Sequence, residues 1–273
     1  TSNAALLTVE SIISADFSGS SMNNSLWSFI NPLGDATLAM TGTNLLISVP
    51  QGVSHDAWTG GNFAPRVMQP ARNEDFGIEV KFESPVNGKN TMQGIIVEQD
   101  SNNYLRFDFL SDGLNTKLFA ASITNGTSVT WENIVLGAAG INTTYMRIQR
   151  IGNQWTQSYS SDGVTWTTEI AFTHNIVVAS VGVFIGNAIN NPAFTSAVDY
   201  FFNTASPIVP EDNIVPFITT QPSDVTVAEG ETATFTVAAV GMNPITYQWQ
   251  QNGIDIAGAT GPSYTTPMIV AAD

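Results

Sequence analysis

In the stretch FGIEVKFE, residues 76–83, Phe76, Ile78, Val80 and Phe82 fall on one side of an extended chain, and Glu79, Lys81 and Glu83 fall on the other. Alternation with a period of two predicts a strand with one face buried and one in water. The same pattern, punctuated by turn residues, returns in QGIIVEQ (93–99), NYLRFDF (103–109), TKLFAASI (116–123), YMRIQRI (145–151), QWTQSYS (154–160), VTWTTEIAF (164–172), VASVGVFIG (178–186) and AVDYFFNT (197–204). No segment sustains a helical period, so the chain is predicted to be all-β. Strands this numerous, joined by short turns, favour two stacked antiparallel sheets that each hide one face.

The alternation stops at ASPIVPEDNIVPF, residues 205–217, which holds Pro207, Pro210 and Pro216 together with the acidic pair Glu211 and Asp212. Proline pre-sets an extended backbone and removes a ladder donor, so 205–216 is predicted as a semi-rigid linker between a domain over 1–204 and another over 217–273. The second segment has a strand from Val225, a turn at Glu229-Gly230, an alternating run from Thr232 to Ala238, then Gly-Met-Asn-Pro and a strand bearing Trp249. In order and spacing it resembles an immunoglobulin-like domain. The resemblance implies that Val237 stands where that family has its first cysteine and that Trp249 is its central tryptophan. The last two strands of such a sandwich would follow Asp273, so the segment reads as C-terminally incomplete, with exposed edges and core.

The larger segment carries SADFSG (14–19), LWSF (26–29), HDAWTGGNFAPRVMQ (55–69), FGIEVKFE, MQGIIVEQDSNNYLRFDF (92–109), MRIQRIGNQWTQSYSSDGVTW (146–166) and AVDYFFN (197–203). Over about residues 14–204 this series resembles the bacterial concanavalin A-like domains attached to family 43 β-xylosidases. The resemblance implies a jelly-roll sandwich and a link to glycans; fold alone does not assign function.

Eight Lys and Arg stand against 23 Asp and Glu, a formal charge of −15 with no basic cluster. Such a surface repels phosphate backbones and anionic lipid, which argues against nucleic acid as a partner. No apolar run reaches the roughly 18–20 residues of a membrane-spanning helix, so no membrane insertion is expected. The absence of cysteine excludes disulfides and thiolate chemistry. A low charged fraction with abundant Asn, Ser, Thr, Gln and Gly is typical of a secreted or cell-surface β protein. The non-Met start and the abrupt end in MIVAAD read as a mature or excised piece of a longer chain.

SYSSDGVTWT, residues 158–167, is similar to the sialidase Asp-box but lacks the residue between Asp162 and Gly163, and it occurs once. It is expected to be a hairpin with a tight turn at Asp162-Gly163, packed by Tyr159 and by Trp166 on the next strand. Glycoside hydrolysis needs two carboxyl groups roughly 5–10 Å apart, whereas Glu79 and Glu83, four apart on a strand, lie about 13 Å apart. The Asp that family 16 glucanases carry between their glutamates is also missing here. His55 and His174 sit in no zinc-ligand or nucleophile-elbow context. Asp16 and Asp199, at the ends of the first domain, are candidate ligands for a structural Ca2+; Asp199 would equally cap a turn or pair with arginine.

Sugar sites combine aromatic platforms with amides, carboxylates and arginine. Pairing across Asp100–Asn103 predicts Gln99 beside Tyr104 and Val97 beside Arg106, so that Tyr104, Arg106 and Asp108 share a face. Pairing across Gly152-Asn153 groups Arg147, Gln149, Gln154 and Thr156. If both rows belong to a concave sheet they line a groove; on a convex sheet they are merely solvated. In SHDAWTGGNFAPR, residues 54–66, Asp56, Trp58, Asn62 and Arg66 would form a cleft wall, although Trp58 would also serve to plug the sandwich end. The leading expectation is a non-catalytic module that tethers an enzyme or cell to polysaccharide, within a longer multidomain chain. The alternatives are a structural or adhesive spacer and, less favoured, a glycoside hydrolase or lyase.

Overall fold

The computed structural model describes residues 12–141, 144–188, 192–208, 217–240 and 246–270. The chain divides into two compact units, Thr1–Glu211 and Asp212–Asp273. Of the linker predicted over 205–216, residues 209–216 lie outside the described residues.

The first unit contains β1 (Ser28–Ile30), β2 (Thr37–Met40), β3 (Leu45–Val49), β4 (Ala57–Trp58), β5 (Gly61–Asn62), β6 (Arg66–Pro70), β7 (Phe76–Phe82), β8 (Thr91–Asp100), β9 (Asn103–Ser111), β10 (Asn115–Thr124), β11 (Thr127–Ala138), β12 (Thr144–Ile151), β13 (Gln154–Ser160), β14 (Thr167–Thr173), β15 (Ser180–Asn187) and β16 (Phe194–Asn203). Two seven-stranded antiparallel sheets hold most of them: β1-β6-β15-β8-β9-β10-β11 in the first, and β14-β13-β12-β7-β16-β3-β2 in the second. The architecture is therefore the predicted all-β sandwich.

Between the sheets, Ile95, Val97, Leu105, Phe107 and Val183 face Ile47, Ile78, Val80, Ile148 and Trp155, all fully buried. Phe107 meets the Trp155 ring at 6.0 Å and Phe109 meets Phe82 edge-on at 6.2 Å, so aromatic contacts knit the two sheets. The alternation read from the sequence holds in β7, where inward Ile78, Val80 and Phe82 are buried and outward Glu79 and Lys81 are half-buried. It fails in β8, where Thr91 through Glu98 are all buried. A near-continuous apolar run is what a strand covered on both faces requires. The outward side of the first sheet is accordingly not in water; a second apolar cluster of Ala57, Ala64, Met68, Met92, Ile96, Tyr104 and Phe184 lies there.

In the second unit β17 (Phe217–Thr220) pairs with β19 (Ala238–Val240), β18 (Thr234–Thr236) with β22 (Ser263–Thr265), and β20 (Gln250–Gln251) with β21 (Ile254–Asp255). Val237 is buried. The Trp249 ring lies 6.4 Å from Phe235 and 6.2 Å from Tyr264, and its Nε1 donates to the Gly261 carbonyl at 2.9 Å. A groove of about 630 Å3 opens along Trp249, Phe235, Tyr264, Ile256 and Met268.

Candidate functional site

The site is built on the outward side of the first sheet. At the tip of the β8–β9 hairpin the Asp100 carboxylate accepts from the Asn102 backbone N–H at 2.8 Å and from the Asn103 amide at 2.9 Å, holding the turn. A bulge between Glu98 and Asp100 shifts the ladder, so Tyr104 faces Glu98 and Arg106 faces Ile96. The expected partners, Gln99 for Tyr104 and Val97 for Arg106, are thereby corrected. An extra residue in one strand reverses parity beyond it. Tyr104, Arg106 and Asp108 do share a face, together with Glu98.

That face is covered by the segment from His55 to Ala64, whose core is the two-residue-strand hairpin β4–β5, with Ala57 opposite Asn62 and Trp58 opposite Gly61. His55 fastens one end. It is buried, its N–H donates to the Asn187 carbonyl at 2.9 Å, Nε2 lies 2.8 Å from Asp35 Oδ1, and Nδ1 lies 3.0 Å from Asn187 Oδ1. Gly186 permits the approach, because a Cβ there would stand 2.2 Å from the His55 carbonyl oxygen. At the other end Asn62 Nδ2 donates to Glu98 Oε1 at 2.8 Å. Arg66 sits 2.7 Å from the same carboxylate, forming a buried ion pair. Burial pushes the Glu98 carboxyl up and draws the Arg66 guanidinium down, each opposed by the charge of the other.

Arg106 is the centre of the second ionic group. Its Nε and Nη2 donate to the two oxygens of Asp108 at 2.8 and 2.9 Å, and Nη1 donates to Asp56 Oδ1 at 3.1 Å and to the Ala57 carbonyl at 3.0 Å. The second Nη2 hydrogen is directed at Met92 Sδ, 2.9 Å away. Around it stand the rings of Phe119 at 5.1 Å, Phe184 at 5.4 Å and Trp58 at 5.9 Å. Burial opposes the charge of Arg106, but the two carboxylates outweigh it and hold the guanidinium pKa above its ordinary value. Asp108 has no exposed surface, and burial pushes its carboxyl up against the pull of Arg106. The Tyr104 hydroxyl, 3.4 Å from the Trp58 carbonyl, is also pushed up by burial.

Beside the hairpin, over β8, β9 and β10, a pocket of about 220 Å3 opens between Asp56, Trp58, Asn90, Met92, Arg106, Leu110, Phe119 and Ala188. Trp58 is half-buried and stands 5.9 Å from the Phe119 ring, and the Asp56 carboxylate keeps 29% of its surface at the mouth. The chemistry on offer is an aromatic wall beside a hydrogen-bond acceptor, the combination that receives a sugar ring.

The structure thus brings Asp56, Trp58, Arg66, Tyr104, Arg106 and Asp108 onto one side of one sheet. Arg147 and Gln149 belong to β12 in the other sheet, so the two polar rows do not share a groove. Arg147 donates to Glu79 Oε2 at 3.1 Å and stacks 3.9 Å from the Trp166 ring, while Gln149 is exposed. Trp166 is not on a strand. β13 ends at Ser160 and β14 starts at Thr167, and the loop between is held by Asp162 Oδ1, which accepts from the backbone of Val164 at 2.8 Å and Thr165 at 2.7 Å. The predicted two-residue turn is replaced because a side-chain carboxylate substitutes for backbone pairing. Gly163 supplies the one positive φ, +72°.

The two proposed calcium ligands are engaged elsewhere. Asp16 Oδ1 accepts from the Ser18 hydroxyl at 2.9 Å, and Asp199 is bonded to Lys81 Nζ, not to an arginine. Among the described residues no three His, Asp or Glu side chains gather. Asp199 already has the Lys81 ammonium as its counter-charge. Glu98, Met92 and Phe119, by contrast with Asn62, escaped the sequence reading. Glu98 was one bulge away from detection, and Phe119 stood within an alternation read only as core.

The immunoglobulin I-set domain model matches residues 216–265. No curated protein matches the chain. Similar solved structures include the GH43 protein BlXynB from Bacillus licheniformis, 16% identical with a TM-score of 0.57 over 71% of this chain and 39% of that one. They also include the xylan beta-1,4-xylosidase of Bacillus halodurans C-125, 12% identical with a TM-score of 0.55 over 71% of this chain and 39% of that one. A third is the CBM2 module of the evolved Dit of Lactobacillus casei BL23 phage J-1, 9% identical with a TM-score of 0.51 over 69% of this chain and 93% of the module. This chain spans about two fifths of the length of the first two. At these identities the likeness is one of fold.

Proposed function

We propose that the N-terminal sandwich is a non-catalytic carbohydrate-binding module of a secreted or cell-surface multidomain protein, which tethers an enzyme or a cell to polysaccharide. The observation that carries this reading is the pocket between Trp58 and Phe119 with the Asp56 carboxylate at its mouth. Its volume, about 220 Å3, is below the ~300–1,000 Å3 of drug-sized pockets, so it holds a single ring of a chain or branch. One ring gives weak affinity, which repetition of modules in a parent protein would raise.

Binding without cleavage is supported by the state of the carboxylates. Asp108 and Glu98 are buried in ion pairs, Glu79 accepts from Arg147 and the Tyr200 hydroxyl, and Glu83 accepts from Asn44. The fold neighbours, GH43 proteins and a CBM2 module, lend support at the level of architecture.

The test is retention of the full chain on a panel of plant, algal and microbial polysaccharides, with released sugar assayed in the same wells. The expected result is retention without release. Trp58→Ala should weaken it about thirtyfold, the loss of an interfacial aromatic worth about 2 kcal/mol. Trp166→Ala, in the β13–β14 loop of the other sheet, should leave it unchanged. No retention on any polymer, or retention indifferent to Trp58, would overturn the reading in favour of a spacer, and released sugar would make the chain an enzyme.

A further inference from the structure

Resting on that reading, we infer that the pocket takes a neutral sugar ring and turns away its carboxylated, sulfated and phosphorylated counterparts. Anionic sugars are ordinarily held by arginine, whose planar fork matches carboxylate and phosphate. Arg106 is the sole cation among the described residues that line this pocket. A guanidinium has five N–H donors. All five are directed at protein atoms: two at Asp108, and one each at Asp56, the Ala57 carbonyl and Met92 Sδ. None is left for a ligand.

What faces the ligand instead is the partly exposed carboxylate of Asp56. A carboxylate only accepts hydrogen bonds, so its partner must donate, as sugar hydroxyls do. An anionic group placed there would meet a like charge, and like charges brought together in an interface are strongly disfavoured. Drawing Arg106 away to greet it would strip Asp108, which is wholly buried, of its counter-charge. The aromatic surround of Arg106 closes the remaining route, because the cage that would hold a cationic ligand is already filled by the protein's own guanidinium.

The experiment compares matched polymers, a neutral polysaccharide and its sulfated or C6-carboxylated derivative, for retention of the full chain. It is run at about 0.5 M NaCl, where the screening length is a few ångström and the chain's overall negative charge no longer decides the outcome. The wild type should bind the neutral form at least about tenfold more tightly. Asp56→Ala removes the repelling carboxylate and frees one Arg106 donor, so it should narrow that gap; Asp56→Asn, which keeps the side-chain shape, should narrow it partway. Equal or tighter retention of the anionic form through Trp58 would overturn the selectivity while leaving glycan binding intact. A gap that neither Asp56 variant changes would also overturn it, since the discrimination would then arise elsewhere. Failure of both polymers to bind would remove the binding reading itself.

Discussion

Removal of Arg106 isolates a buried charge, and the size of the effect can be worked out. In Arg106→Met the Asp108 carboxylate, with no exposed surface, loses both of its guanidinium donors, while Asp56, part-exposed, is rehydrated. A stranded carboxylate escapes its desolvation penalty by taking up a proton. The ceiling on the cost is then the free energy of protonating an acid whose ordinary pKa is about 3.9, at 1.36 kcal/mol per unit. At pH 7 that ceiling is about 4 kcal/mol, in line with the ~3–5 kcal/mol seen when one partner of a buried pair is removed. At pH 5 it falls to about 1.5 kcal/mol. The assay is urea unfolding of the full chain at both pH values, followed by tryptophan fluorescence, since Trp27, Trp58, Trp131, Trp155 and Trp166 report on the sandwich and only Trp249 on the second unit. The midpoint by heating should drop by about 8–16 °C at pH 7. Adding Asp108→Leu should recover most of the loss, because a buried pair replaced by apolar side chains is close to neutral. A loss below about 1 kcal/mol at pH 7, or one that does not shrink toward pH 5, would refute the placement of Asp108 as a buried, charge-compensated group.

Two further changes probe the cover and the loop. Gly186→Ala puts a Cβ 2.2 Å from the His55 carbonyl oxygen and 3.2 Å from Met92, so the hairpin must lift. Such overpacking should cost about 1–3 kcal/mol and weaken polysaccharide retention in parallel; retention preserved at lowered stability would separate the hairpin from the site. In the β13–β14 loop, the backbone N–H groups of Thr165 and Val164 hold the Asp162 carboxyl well below the usual carboxylate range. A depressed folded-state pKa contributes stability that is present above the unfolded pKa and lost as pH falls through the folded one. The wild type should therefore exceed Asp162→Ala in urea midpoint at pH 7, and the two should converge as acid is added below about pH 4. A gap that persists unchanged at the acid end would mean that the carboxylate charge is not what holds the loop.

Much of the sandwich was legible because alternation is a direct record of burial on one face: β7 and β12 follow it residue by residue, and β13 does so up to the bulge between Gln157 and Ser158. Where both faces are covered the record is lost, and β8 reads as a plain apolar run. Strand β11 was missed for a different reason. Its pairing with β10 slips twice, after Thr116 and after Ala120, so Trp131 and its neighbours keep no constant phase. The site was half legible. Arg106 and Asp108 stand two apart on one strand and share a face in any register. Their partner across the ladder depended on a bulge at Gln99, set by a carboxylate capping the next turn, and no period reveals that. Asp56 and Trp58 were recognisable as loop residues of the right kinds. That they lie on the sheet's outward face, and not at the end of the sandwich, required the tertiary fastening of His55 to Asn187 and Asp35.

These parts are connected by one constraint. Arg106 and Asp108 point outward from a strand, and in an ordinary half-buried sheet water would solvate both. Here the hairpin excludes water, which obliges the guanidinium to find protein partners for all its donors, and the cover itself supplies two of them, Asp56 and the Ala57 carbonyl. The cover and the charge are thus interdependent: without Arg106 the hairpin loses the cation its Asp56 pairs with, and without the hairpin the pair has no reason to be dry. The pocket lies beside this cover, with Trp58 on the cover and Phe119 on β10 as its two aromatic walls. Its shape is consequently a property of the length and seating of residues 55–63, and its polarity a property of how completely Arg106 is already satisfied. Selectivity should respond to changes in that hairpin, whereas the strands beneath it answer for stability.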